Sequence, residues 1–199
     1  SRKVPSALVW VDIETPNLPV GNDFSNVPIL EIAGVITDFD LMKFNGYHDA
    51  VKLTTEHATA LKANPEVLKM HKNSGLIVEC SKSDKTLRDL EEGMIELLNA
   101  NSFEKGEYIL AGSGVASFDF PLIKEKMPEL ASWFTYYTID VGMLRRTMYY
   151  ASHGRTVVKP VKESFKEGFK KHRALDDVLA HIAEAEQYWE FFRNLKETD

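Results

Sequence analysis

Ala7-Leu8-Val9-Trp10-Val11-Asp12-Ile13-Glu14 is the stretch on which the reading of this chain turns. Its apolar run has strand length and no polar alternation until its end, which predicts a central strand buried on both faces. Where the run ends, Asp12 and Glu14 stand two residues apart. Side chains alternate along a strand, so both carboxylates share one face and Ile13 takes the other. Two such charges at a strand's C-terminal edge repel unless a cation or a proton stands between them. Hard divalent ions such as Mg²⁺ bind through one or two carboxylates plus phosphate oxygens. An Asp-x-Glu triplet alone is common, and a solvated strand end explains it as well.

Working outward, the segment from Pro16 to Pro28, with Asn17, Pro19, Gly21, Asn22 and Asp23, reads as a loop. Ile29–Thr37 and Tyr47–Leu53 read as two further strands, so the sheet begins antiparallel. Helical spacing then takes over. Pro65–His71 predicts a short helix stopped near Gly75, and Ser83 is the expected N-cap of a helix carrying Leu87, Leu90, Met94 and Leu97 on one face. Tyr108–Gly112 is another buried strand, followed by a helix through Phe120, Leu122 and Ile123. A strand near Tyr137–Ile139 leads into a helix from Asp140, whose expected role is the N-cap. The last helix carries Leu175, Val178, Leu179, Ile182 and Trp189, with Glu184, Glu186 and Glu190 on its solvated face. Strands first, then alternation, predict an α/β fold with a mixed β-sheet flanked by helices. No repeat or Gly/Ser linker interrupts the chain, so residues 1–199 are read as one domain.

Two further elements carry acids. Asp119, in Ser117-Phe118-Asp119-Phe120, follows a strand and opens a helix, a place where an acid favoured by the helix dipole is ordinary. In His172-Arg173-Ala174-Leu175-Asp176-Asp177, the histidine and the second aspartate are five residues apart. Within one helix that spacing turns them apart by roughly 140°. They converge only if His172 lies on the approaching loop and Asp177 in the first turns of the helix. Asp12, Glu14, Asp119 and Asp177 thus all lie at strand ends or helix starts, where clefts in α/β folds open. Four carboxylates in one cleft call for metal. Two ions roughly 3.5–4 Å apart form the clamp used for phosphodiester hydrolysis. His172 adds a base that titrates near neutrality.

The order Asp-x-Glu, Phe-Asp, His-x(4)-Asp resembles the motif set of the DEDDh 3′→5′ exonucleases. Within that superfamily, residues 8 to 193 are most similar to the oligoribonucleases. Trp10–Glu14 with Leu18, His71-Lys72-Asn73-Ser74-Gly75-Leu76, Ile139-Asp140-Val141 and His172–Asp177 carry the likeness. The resemblance implies an RNase H-like fold, two Mg²⁺ or Mn²⁺ ions, and release of 5′-mononucleotides from the 3′ ends of short single-stranded RNA or DNA. It implies that Asp12, Glu14, Asp119 and Asp177 hold metal and that His172 takes the proton of the attacking water. It assigns substrate contacts to Leu18, as a wedge against the terminal bases, and to His71, Ser74 and Tyr136. It also implies a cytoplasmic homodimer in which each site is completed by the partner chain. The chain departs from the pattern at three places. Gly112-Ser113-Gly114 replaces an Asn-Ser pair, no Trp precedes His71, and Tyr136-Tyr137 stands where Tyr-Arg is usual. Arg145, Arg155 or Lys159 are the candidates to replace the missing phosphate contact. Trp133, Phe134, Tyr136 and Tyr137 read as base-stacking or packing residues.

Bulk properties bound the alternatives. The net charge is −6, yet the stretch from Arg145 to Arg173 holds nine Lys/Arg against Glu163 and Glu167, leaving −13 elsewhere. A local basic ribbon in an acidic chain suits a short anionic substrate. No apolar run approaches the ~20 residues of a membrane span. Ser1-Arg2-Lys3-Val4-Pro5 has no apolar stretch behind its charges, so no secretory signal is expected. One cysteine, Cys80, allows no internal disulfide and fits a reducing cytosol. Two other functions remain open: a general 3′→5′ exonuclease trimming longer single strands, and an inactive RNase H-like module that only binds.

Overall fold

A computed structural model describes residues 3–155 and 170–195. Five strands form one mixed sheet: β1 (Ala7–Glu14), β2 (Glu31–Thr37), β3 (Lys43–Ala50), β4 (Tyr108–Gly112) and β5 (Phe134–Asp140), in the order β3-β2-β1-β4-β5. The hairpin pairs β1–β2 and β2–β3 are antiparallel, whereas β1–β4 and β4–β5 are parallel. The expected mixed sheet of an RNase H-like α/β fold is therefore present. β1 lies at its centre because its apolar residues face helices on both sides. Ala7, Val9, Val11 and Ile13 enter one core, packed by Leu90, Met94 and Leu98 of α4 (Leu87–Asn99) and by Phe120, Leu122 and Ile123 of α5 (Phe120–Lys126). Leu8 and Trp10 enter the other, with Val178, Ile182 and Tyr188 of α8 (Ala174–Arg193) and Val141 of α7 (Val141–Ala151). Each fully buried aliphatic side chain in these rows contributes roughly 1.5–3 kcal/mol of transfer free energy. Trp10 is fully buried because its indole N–H finds Thr37 Oγ1 at 2.9 Å.

Several expectations need correction. The third strand runs Lys43–Ala50, not Tyr47–Leu53, because the chain leaves the edge of the sheet at Val51. Two helices carry little apolar periodicity and were not foreseen: α1 (Thr55–Ala63), closed by a Thr54–His57 capping box, and α3 (Leu76–Lys82). α2 (Pro65–Asn73) ends before Gly75, which takes a left-handed φ of 83°. Ser83 does not cap α4. Thr86 does, in a capping box with Asp89, while the Ser83 hydroxyl donates to the Ala50 carbonyl. A short α6 (Pro128–Ala131) precedes β5. Glu184 is not solvated: both its oxygens are held by Arg145, at 2.8 and 2.9 Å. The middle of the basic ribbon, with Lys159, Lys162, Glu163, Lys166, Glu167 and Gly168, lies outside the described residues. Among the described residues, no helix is long and apolar enough to cross a membrane.

Candidate active site

The alternation that places Leu8 and Trp10 against α8 continues to the end of β1, so Asp12 and Glu14 also point to that side. There they meet Asp177, in the first turn of α8. One carboxylate oxygen from each of Asp12, Glu14 and Asp177 lies within 4.8 Å of the others. Asp12 Oδ2 is buried and has no hydrogen-bond partner. Burial pushes the Asp12 carboxyl well above its usual range, and the charges of Glu14, Asp119 and Asp177 add to this. Burial also pushes Glu14 up to about 8, with Asp177 and Glu31 adding to it and a hydrogen bond to Asp12 opposing it. Asp177 rises to about 6, burial outweighing its hydrogen bonds with Glu14 and the His172 amide.

Asp119 arrives from the far side of β4. Gly112 ends that strand with φ 154°, and a Cβ there would stand 2.6 Å from the Val11 carbonyl oxygen, so only glycine lets β4 lie this close to β1 before Asp12. Gly114 then turns left-handed into a single π-turn over Val115–Asp119, in which the Phe120 N–H bonds to the Val115 carbonyl. π-turns concentrate at functional sites because they redirect one side chain out of the α-helical ladder. Asp119 makes no side-chain cap, is 3% exposed, accepts the Ile13 N–H, and leaves Oδ2 unpartnered. Burial raises it to about 8. Asp140 does serve as an N-cap, accepting Met143 N–H at 3.1 Å and also those of Gly114 and Ala116, which ties α7 to the π-turn.

α8 begins at Ala174, so His172 lies on the approaching turn as its spacing from Asp177 required. It adopts φ 67°, and its N–H donates to Asp177 Oδ2 at 3.1 Å. Burial, then the charges of Lys171 and His71, hold its ring below the ordinary histidine range and so favour the neutral form. A neutral imidazole can accept a proton, and the turn that carries it is tied to the acids through the His172 N–H bond to Asp177.

The remaining candidates are spread wider. Leu18 is 75% exposed and lines a cavity of about 590 Å³ with Ile13, Glu14, Asn17, Val67 and Phe118. His71 and Ser74 lie beneath the surface. His71 is fully buried, its Nε2 2.8 Å from the Thr15 carbonyl oxygen, and Ser74 Oγ donates to the His71 carbonyl. They brace the exit of β1 and α2. Tyr136 is exposed on the edge strand β5, edge-to-face with Tyr137. Its register is level with the start of β1, roughly 20 Å from the acids at 3.3 Å per residue. Arg145 is already committed to Glu184 and Ser113. Trp133 is core, 6% exposed. One site-adjacent contact escaped the sequence reading. Glu31 and Arg173 pair at the root of α8, and nothing in their spacing, 142 residues apart, signals it.

The donor set fits a hard divalent cation. Three acids share one point, two buried carboxylate oxygens have no partner, and burial disfavours the charged forms unless a positive charge arrives.

The family description Exonuclease (RNase_T) matches residues 9–185. An oligoribonuclease of Rhodococcus jostii is 32% identical over 182 residues, covering 91% of this chain and 85% of that protein. One from Mannheimia succiniciproducens is 31% identical, covering 94% of each. Among solved structures, the zinc-bound complex of Escherichia coli exonuclease I with single-stranded DNA superposes with a TM-score of 0.62 at 14% identity, over 96% of this chain. The chain spans 42% of exonuclease I and 66% of a Schizosaccharomyces pombe relative.

Proposed function

The chain belongs to the RNase_T exonuclease family, and from that premise we propose that it is a metal-dependent 3′→5′ exonuclease releasing 5′-mononucleotides from short single-stranded RNA, acting as one domain in the cytoplasm. The convergence of Asp12, Glu14 and Asp177, the last of which accepts the backbone N–H of the left-handed His172, is the observation that carries the reading. In this reading Asp12, Glu14, Asp119 and Asp177 would hold two Mg²⁺ or Mn²⁺ ions, which would supply positive charge to the phosphate oxygens and to the attacking water. His172 would accept the proton of the attacking water, a role that its neutral ring suits. Leu18, exposed and lining the same cavity as Glu14, is proposed to press against the last base of a strand.

A homodimer belongs to the same proposal. Tyr136 lies too far from the acids of its own chain to touch a strand bound there. It reaches RNA only if a second copy presents its site to the β5 edge.

The test is product analysis of 5′-labelled RNA of two, five and ten nucleotides, with Mn²⁺ and with EDTA. Mononucleotide release from the dinucleotide, abolished by EDTA, is the expected result; no metal-dependent product would sink the proposal. A second reading, trimming of longer single strands of RNA or DNA, is favoured by a cavity of about 500 Å³ on the His172 side, lined by Lys69, Lys170 and Lys171. Cleavage of the ten-mer as fast as the dinucleotide would select it.

A further inference from the structure

α8 starts without a cap of its own. Arg173 stands at the N-cap position and makes no side-chain bond to the helix's first amides. The cap comes instead from across the sheet. Glu31, the first residue of β2, is 2% exposed, and its Oε1 accepts the Ala174 N–H at 2.7 Å. Its Oε2 takes Arg173 Nη2 at 2.8 Å and Nε at 3.2 Å. The same Nη2 also bonds to Glu79 of α3, and Nη1 reaches the Ser74 carbonyl at 3.5 Å. A guanidinium is a planar fork of fixed donors, so anchoring it on three elements fixes the backbone that carries it.

That backbone is the turn bearing the base. His172 precedes Arg173 at φ 67°, a conformation that persists only where its surroundings over-determine it. The turn is closed by Lys170 N–H on Asp176 Oδ2 at 3.0 Å, His172 N–H on Asp177 Oδ2, and Asp177 N–H on the Arg173 carbonyl at 3.0 Å. Glu31 also faces Glu14 in the β1–β2 register. One ion pair therefore joins the strand pair holding two acids to the helix start holding the third acid and the histidine. A buried ion pair adds little net stability, so its consequence is expected in geometry.

We infer that Glu31 and Arg173 are positioning residues: together they cap α8 in trans and hold His172 and Asp177 in register with Asp12 and Glu14, neither touching substrate. This rests on the exonuclease reading of the site.

The test compares Arg173→Met, Arg173→Lys and Glu31→Gln with the parent protein, and uses Arg193→Met, which breaks the ion pair with Asp40 at the other end of α8, as control. Turnover of a labelled dinucleotide is measured at saturating Mn²⁺, and amide hydrogen exchange is measured on the metal-free protein. A misplacement of about 1 Å can cost roughly 100-fold, so Arg173→Met is expected to lose about that in kcat with KM held within about three-fold. Arg173→Lys should recover part of the loss, and Glu31→Gln, which keeps an acceptor for Ala174, should lose less. Amides of residues 172–178 should exchange about ten-fold faster in Arg173→Met, with β1 and β4 unchanged. Arg193→Met should match the parent. An unchanged kcat, or exchange accelerated equally through β1 and β4, overturns the inference. Absence of cleavage by the parent refutes the exonuclease reading instead, and the exchange comparison, which needs no activity, still judges the clamp.

Discussion

Raising the pH of the metal-free protein from 6.5 to 8 is predicted to destabilise it. Glu14 and Asp119 are ordinary acids near 4.5 and 3.8 when unfolded and are pushed up to about 8 when folded. Between those values the folded chain holds protons that the unfolded chain releases, so stability is full below the unfolded values and is lost as the pH climbs towards 8. Each such group costs about 1.4 kcal/mol per pH unit, which over this window gives on the order of 4 kcal/mol for the two, with Asp12 pulling the same way. The histidines His71, His172 and His181, all held below 6.5 when folded, oppose this weakly at the lower end of the window, where the unfolded imidazoles are still half protonated. For a chain of this length about 4 kcal/mol corresponds to a midpoint shift of roughly 8–16 °C. Thermal melts in EDTA at the two pH values measure it, and repeating them with excess Mn²⁺ should restore most of the loss at pH 8 by filling the pocket with positive charge. Asp119→Asn should cut the EDTA effect by about half. A midpoint that holds or rises between pH 6.5 and 8 in EDTA would mean that these carboxylates do not share a dry pocket, and the case for a cation there would fail with it.

Other outcomes follow from single residues. His172→Asn keeps a side chain that tolerates the left-handed turn but is not a base; kcat should fall roughly 100-fold or more with the melting midpoint little changed. Gly112→Ala forces a Cβ against the Val11 carbonyl oxygen and Val115 Cγ1, both 2.6 Å away, and denaturant titration should show a loss of about 3 kcal/mol. Leu18→Ala, at an exposed position, should leave stability intact while raising KM for a dinucleotide by about ten-fold, as expected for one lost base contact.

The sequence by itself determined the central strand, the facing of its two acids and the fold class. Those depend on local periodicity: five apolar residues in a row fix burial, and alternation fixes which side Asp12 and Glu14 share. It also required His172 to leave the helix that holds Asp177, since a spacing of five cannot share a helical face. Local chemistry failed where competing signals were equal. Ser83 and Thr86 are both sound N-caps, but the Ser83 hydroxyl is taken by the Ala50 carbonyl of the sheet, and Thr86 caps the helix. Glu184 carried the helical spacing of a solvated face, yet the approach of α7 gave it Arg145. What tertiary structure alone decided is the joining of distant parts. Asp119 becomes part of an acidic pocket, not a helix cap, at the end of a π-turn that follows the left-handed Gly114, and its carboxylate accepts the Ile13 N–H of β1. Glu31 caps a helix 143 residues away. Such pairings follow from how the sheet brings its strand ends together, and no local pattern encodes the distance between two residues that far apart in the chain.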